Sequence, residues 1–431
     1  MKTLEKIMRG MMALSVAVAL SGCGDDSAKD EPNGVDPVNP ESPEVVDVVK
    51  AAPLSVSLEQ RGIVEAHNVF AGKFLAAAMA QDDTNGNVAV SPLSAEVCLS
   101  MVANAASGDT RAQLLKVLGY NDIDKLNEFN AYLLKGLPAV DPSLVKMSLA
   151  NSVWSNAERY VTMVPAYKNA LSEYYQAESY EIGFLRDKAK DKINSWCLDN
   201  TNGLIKDFIK DEKELENGVQ VLLNAMYFNG VWAKDNSFDA SKTAKASFTN
   251  ADGSKAKVDM MALTDEVAGY QGNDFNAAKL DYGQGTYSMV IVQPTGNKSL
   301  EECVAEVAAN SFFGKDFATV KMPRFEAETS TNMNKLLESM GVKMNGCSME
   351  NILRNGEPMA VADLTVKQKA IIKVTEKGTE AAAVTGGFIA ESAGPGSQPK
   401  HFAMTLDRPF GYVIVESGSN AVVMMGAVRK M

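Results

Sequence analysis

The sequence predicts a single α+β domain behind an exported leader. Three observations lead there: helical periodicity dominates the first half, strand-like runs dominate the second, and neither a repeat nor a linker divides the chain after Pro53. At 431 residues and 46% hydrophobic, the chain can bury one large core. Its formal net charge of -12 opposes nucleic acid or an anionic membrane surface as a partner, because both are negative. Two histidines, His67 and His401, and five cysteines without C-x-x-C spacing offer no clustered metal or redox motif. No metal and no cofactor is therefore expected.

Lys2, Lys6 and Arg9 precede an apolar run from Met11 to Leu20, the layout of a signal peptide with an h-region too short to span a bilayer. The run ends in Leu20-Ser21-Gly22-Cys23, which resembles a bacterial lipobox. Residues 1–22 then form a cleaved lipoprotein leader, and Cys23 carries the lipid and becomes the mature N-terminus. Several acyl chains at about 0.8 kcal/mol per buried methylene hold a protein on a membrane. Residues 23–57 are acidic and proline-rich, the composition of an extended tether that reaches on the order of 80 Å at roughly 3 Å per residue. The expected location is outside the cytoplasm, lipid-anchored to the bacterial outer membrane, with surface exposure suggested by Asp25 and Asp26.

The body is expected over 58–431. From Ile63, Val64, Phe70, Phe74 and Leu75 recur at helical spacing. Val88 to Val90 read as a short strand, Ser91-Pro92 as a helix cap and first turn, and Gly108 as that helix's end. Further strand patterns lie at Leu149 to Trp154, Val219 to Phe228, Tyr287 to Gln293, Lys321 to Phe325, Lys369 to Thr375, Phe410 to Glu416 and Ala421 to Val428. Cys98 lies in an apolar helix and is expected buried and free. For Cys197, Cys303 and Cys347 the spacing fixes no pairing.

The segment Gly378 to Thr385 is unusual chemistry for a strand. Gly378 permits backbone angles closed to other residues, and residues 379–385 are small and, Glu380 apart, uncharged. Side chains alternate faces in an extended chain, so Thr379, Ala381, Ala383 and Thr385 share one side, with Glu380, Ala382 and Val384 on the other. The first face carries no charge and can enter a sheet interior without burying an ion.

Asn87-Val88-Ala89-Val90-Ser91-Pro92-Leu93-Ser94, Asn194-Ser195-Trp196, Thr201 to Lys206, Leu223-Asn224-Ala225-Met226-Tyr227-Phe228-Asn229-Gly230-Val231-Trp232, Lys321-Met322-Pro323-Arg324-Phe325, Glu376-Lys377-Gly378-Thr379-Glu380 and Asp407-Arg408-Pro409-Phe410 stand in this order along the chain. In both content and order they resemble the serpin family over nearly everything beyond the tether. The resemblance implies helices packed on three β-sheets with an exposed reactive-centre loop. It also implies inhibition of serine proteases, and by extension cysteine proteases, by a suicide substrate whose cut loop inserts into the main sheet. Gly378, Thr379, Glu380, Ala381, Ala382, Ala383 and Thr385 become the hinge of that loop, and the protein has no catalytic residues of its own. Ser91, Ser94, Asn224 and Gln368 match the region beneath the opening of the main sheet. Gln368 stands where the family usually has histidine, so histidine-linked pH sensitivity is not expected at that position, and His67 and His401 are expected to be exposed or simply packed.

Counting from Gly378 as in the family places the scissile bond between Ser392 and Ala393. Small flanking residues suit an elastase-like or subtilisin-like protease. The stretch up to Pro409 is about six residues longer than is typical, and a shifted register offers Lys400 to a trypsin-like enzyme instead. The partner is thus a target protease, engaged by a monomer. Two rivals stand beside this reading. A non-inhibitory surface-binding lipoprotein of the same fold would let its loop simply be cut. A serine hydrolase finds only Ser143-Leu144-Val145-Lys146, an S-x-x-K match without companion motifs.

Overall fold

Helix α1 (Leu58–Gln81) begins at a capping box: the Ser57 hydroxyl accepts the Gln60 N–H at 3.2 Å, and the Gln60 side chain accepts the Ser57 N–H at 2.8 Å. The computed structural model that shows this describes residues 49–431 apart from 83, 311–312, 314–315, 344–347, 361–363 and 380–398. The leader, Cys23 and residues 24–48 lie outside the described residues. The tether expected through residue 57 stops short of it. Ala52 N–H bonds the Val140 carbonyl at 2.9 Å, Leu54 N–H bonds the buried Glu416 carboxylate at 3.0 Å, and the Tyr132 hydroxyl donates to the Ser55 carbonyl at 2.8 Å. The physical reason is Leu54, an apolar side chain buried on the body against Gly136, where an added Cβ would come within 2.5 Å of it.

Helix α2 (Pro92–Ala105) has Ser91 as its cap, with the Ser94 N–H on the Ser91 hydroxyl at 3.1 Å and proline in the first turn. Every residue of α2 is buried, as expected of a helix that runs through the middle of a domain. Gly108, read as a terminator, instead opens the next helix (Gly108–Leu118) with φ +52°. Phe70, Phe74 and Leu75 of α1 pack with Val97, Leu99 and Val102 of α2 in one large core that the sheets cover.

Three sheets are present among the described residues. In the ten-stranded sheet, Val88–Val90, Val422–Val428, Phe410–Glu416, Tyr287–Pro294 and Phe275–Tyr282 lie side by side, antiparallel throughout. Its far end holds strands the pattern did not reveal, Ala244–Thr249, Lys255–Ala262 and Val267–Gln271, together with His401–Thr405, which pairs parallel with Asp316–Pro323. A three-stranded sheet joins Val161–Met163, Ser348–Arg354 and Glu357–Ala360. The six-stranded sheet runs Phe325–Asn332, Leu364–Thr375, Gly378–Thr379, Gln220–Val231, Val145–Asn156 and Glu178–Ile182.

Candidate loop-insertion site

The six-stranded sheet is closed at one end and split at the other. At the closed end the parallel Leu364 and Gln220 strands pair directly, with Leu364, Thr365 and Val366 opposite Gln220, Val221 and Leu222. At the other end Gly378 and Thr379 sit between them, antiparallel to both: Gly378 is opposite Thr375 and Val231, and Thr379 opposite Val374 and Gly230. Adjacent strands lie about 4.8 Å apart, so the two lips separate from roughly 5 Å to roughly 10 Å along the sheet. Over 223–229 and 367–373 the facing edges have no strand partner among the described residues. This is a wedge shaped to take one more strand, antiparallel to both neighbours.

The mouth is built around backbone that only glycine allows. Gly378 has φ +134°, and a Cβ there would lie 2.1 Å from the Gly230 carbonyl oxygen. Thr379 is buried, its hydroxyl 2.6 Å from the Tyr282 hydroxyl. Tyr282 stacks on Trp232 with ring centroids 4.4 Å apart. Trp232 in turn donates its indole N–H to the Thr375 carbonyl at 2.9 Å and its backbone N–H to the Lys377 carbonyl at 3.2 Å. Glu376, at the tip of the turn, accepts the Arg324 guanidinium through Nε at 2.8 and 2.9 Å and Nη2 at 2.6 Å, and the Thr243 hydroxyl at 2.6 Å. Burial works against ionising Glu376, but these bonds outweigh it and hold its carboxyl below the usual glutamate value.

Beneath the split, the structure joins Ser91, Ser94 and Gln368 in one buried network. Gln368 Nε2 donates to the Ser91 carbonyl at 2.7 Å and Gln368 Oε1 accepts the Ser91 N–H at 3.1 Å, while the Ser91 hydroxyl donates to the Val423 carbonyl at 2.9 Å. Asn224 stands apart from it: its amide donates to Asn151 at 2.6 Å, and Asn151 donates to the Tyr175 carbonyl at 2.7 Å. Its own side-chain oxygen is buried without a donor among the described residues.

Trp232, Tyr282, Thr243, Arg324 and Glu376 are site residues to which the sequence pattern assigns no role. Trp232, Arg324 and Glu376 lie inside the motifs that carry the family resemblance, whereas Tyr282 and Thr243 carry no local signal. Glu380, Ala381, Ala382, Ala383, Thr385, Ser392 and Ala393 lie outside the described residues. Lys400 is exposed, but its N–H bonds the Asp316 carboxylate at 3.1 Å and its carbonyl takes the Phe317 N–H at 2.8 Å. A protease would have to strip this residue from a sheet edge, which counts against the trypsin-like register. Ser143, of the S-x-x-K match, lies in the turn before the Val145 strand, where its hydroxyl accepts the Val49 N–H at 2.9 Å. Cys98, Cys197 and Cys303 are buried free thiols, and burial pushes Cys98 and Cys197 up to about 12 and Cys303 up to about 11, so none is a nucleophile at neutral pH. His401 is exposed, near Glu266, whereas His67 is fully buried against Glu96.

The family profile described as "Serpin (serine protease inhibitor)" matches residues 65–431. Among curated relatives, Serpin-Z10 of Arabidopsis thaliana is 28% identical over 85% of this chain and 97% of its own, and Iripin-8 of Ixodes ricinus is 28% identical over 87% and 95%. Among solved structures, Serpin48 of the insect Tenebrio molitor superposes with a TM-score of 0.72 at 25% identity over 87% of this chain and all of its own. The thermophilic serpin tengpin, in its native state, gives 0.72 at 26% identity over 89% and 98%. A profile that covers residues 65–431, nearly all of the described body, together with relatives and solved structures of the same fold, leaves one conclusion: the chain belongs to the serpin family.

Proposed function

We propose that this serpin is a single-use inhibitor of serine proteases that works by loop insertion. The observation that carries the reading is the wedge itself, with Gly378 and Thr379 seated at its mouth antiparallel to both lips. A protease that cuts the loop beyond Thr385 frees the hinge to continue down the split as a full strand. The acyl-enzyme is then carried along and distorted before water completes hydrolysis. An insert of about twelve residues gains on the order of ten hydrogen bonds at ~1 kcal/mol each, offset by ordering entropy of ~1 kcal/mol or more per residue, so side-chain packing supplies much of the surplus. The uncharged Thr379, Ala381, Ala383 and Thr385 face suits that packing.

The proposed bond is Ser392–Ala393, offered to an elastase-like or subtilisin-like enzyme. Incubation of the folded body with elastase-like, subtilisin-like and trypsin-like proteases should yield a detergent-stable adduct with the first two and release a peptide beginning at Ala393. Clean cleavage by all three without adduct would leave a binding protein of serpin fold. The leader reading adds a lipid anchor on Cys23, and Cys23→Ser should abolish incorporation of labelled palmitate.

A further inference from the structure

The joint that must yield during insertion carries a second, ionisable tie. Through Ser91, α2 touches both lips of the split, Gln368 on the Leu364 strand and Met226 on the Gln220 strand. Five residues on, the Glu96 carboxylate is fully buried between the Tyr120 hydroxyl, which donates at 2.9 Å, and His67 Nδ1 of α1. The other ring nitrogen of His67 lies 2.8 Å from the Val422 carbonyl. Val422 adjoins Val423, which takes the Ser91 hydroxyl. The same stretch of the ten-stranded sheet therefore anchors α2 through Ser91 and α1 through His67.

A carbonyl and a carboxylate only accept hydrogen bonds. An imidazole between them satisfies both when it holds two protons, and loses one bond when it holds one. We infer that His67, with Glu96 and Tyr120 as positioning residues, is a proton-loaded lock that fixes α2 and so sets how readily the six-stranded sheet opens. This rests on the loop-insertion function proposed for the chain. Burial lowers the proton affinity of His67, but the Glu96 charge and the bonds to Glu96 and Val422 outweigh it and hold the ring above the ordinary histidine value. Burial and the neighbouring carboxylate keep Tyr120 protonated far beyond neutral pH.

Other ionisable groups nearby are accounted for. Tyr175 lies beyond Tyr120 and is pushed up by burial. Glu416 at the adjacent turn accepts N–H groups of Leu54, Gly418 and Ser419. Glu306, on the helix packed against α1, pairs with Lys298 at the surface. The Val422–Val428 strand carries none.

A group whose pKa is raised by folding contributes fully below its unfolded value of about 6.5, and that contribution is lost as pH rises through the folded value. The native form should thus open more readily in alkali. With two histidines in the chain, ring-nitrogen NMR resolves both, and His401→Gln assigns them. His67 should titrate above the ordinary histidine value of about 6.5. Over the same interval, spontaneous conversion from a urea-sensitive to a urea-resistant form, followed by tryptophan fluorescence without protease, should accelerate on the order of tenfold.

His67→Gln and Glu96→Gln should convert fast at every pH and lose the step. Should either fail to fold, Tyr120→Phe keeps the pair, leaves the Glu96 carboxylate to His67 as its remaining donor in place of two, and should move the midpoint to higher pH. An unshifted midpoint in Tyr120→Phe, a step unchanged in His67→Gln, or His67 titrating at or below 6.5 overturns the lock. A step without any protease adduct overturns only the trap, and an adduct without a step overturns only the lock.

Discussion

The Phe410 strand of the ten-stranded sheet and the Gln220 strand of the six-stranded sheet are built from similar apolar residues, yet they are held differently. Phe410–Glu416 is laddered on both edges, to Tyr287–Val292 on one side and Val422–Val428 on the other. Gln220–Val231 is laddered to Val145–Ser155 along one edge, but on the other, among the described residues, only at its two ends. A closed ladder makes stability a matter of core packing. An open one leaves unpaired edge to be filled later, and the split is meanwhile held by side chains: Gln368 below, Trp232 and Tyr282 at the mouth, Glu376 with Arg324 above. Substitutions in the two sheets should therefore fail in different ways.

The largest functional effect is expected from Ala383→Arg, on the uncharged face that the proposed insertion buries. Thr379 already lies in the sheet, 3% exposed, so the test belongs to a later residue of the same face: a guanidinium at 383 carried into the split as the strand advances becomes a buried, unpaired charge costing about 3–5 kcal/mol. Protease should cut this variant as a substrate, and adduct on a denaturing gel should disappear while the native protein still folds. A variant that forms adduct as well as the parent would show that residue 383 does not travel into the sheet.

Next comes a pair that separates the sheets. Ile414→Ala removes a fully buried side chain from the closed ladder and should cost about 2–5 kcal/mol of stability in denaturant, with adduct yield unchanged. Gln368→Ala strips the buried Ser91 N–H of its partner, at about 1–3 kcal/mol, and leaves the Ser91 carbonyl to the Ala95 N–H at 3.0 Å. It should act on the rate of spontaneous conversion while leaving amide exchange in the Phe410 strand as it was. Equal effects of the two variants on conversion would dissolve the distinction between closed and open sheets.

The same physics decides which features are legible in the sequence. Runs such as Val219 to Phe228 and Ala421 to Val428 are apolar on both faces and announce buried strands. Ala244–Thr249 and Lys255–Ala262 are half-exposed and made largely of alanine and lysine, poor strand formers, so their strand character comes from their neighbours. Leu54 is invisible because the apolar residues around it, from Val45 to Val56, follow neither a helical nor a strand period. At the site, Gly378 and Thr379 are legible because a small, uncharged run is locally odd. Arg324 and Glu376 are 52 residues apart, and Tyr282 and Thr379 are 97 apart, so only the folded chain pairs them. His67 is a histidine on an apolar face, and its partner Glu96 lies on a different helix.

The smallest effect is expected in acid, at the upper strut. Glu376 titrates below its ordinary value of 4.5, and a carboxyl depressed by folding contributes fully above its unfolded value, then loses that contribution as pH falls through the folded one. Spontaneous conversion should accordingly quicken a few-fold below about pH 4, the acid counterpart of the alkaline step assigned to His67. In Glu376→Gln the guanidinium of Arg324 loses its charged partner at every pH, so the neutral rate should rise toward the acid rate and the acid limb should flatten. Thr243→Ala, which removes one donor to the same carboxylate, should move the acid midpoint upward without abolishing it. If Glu376→Gln retains the full acid limb, the strut has no part in holding back the advance of the strand, and the contacts of Trp232 and Tyr282 hold the mouth without it.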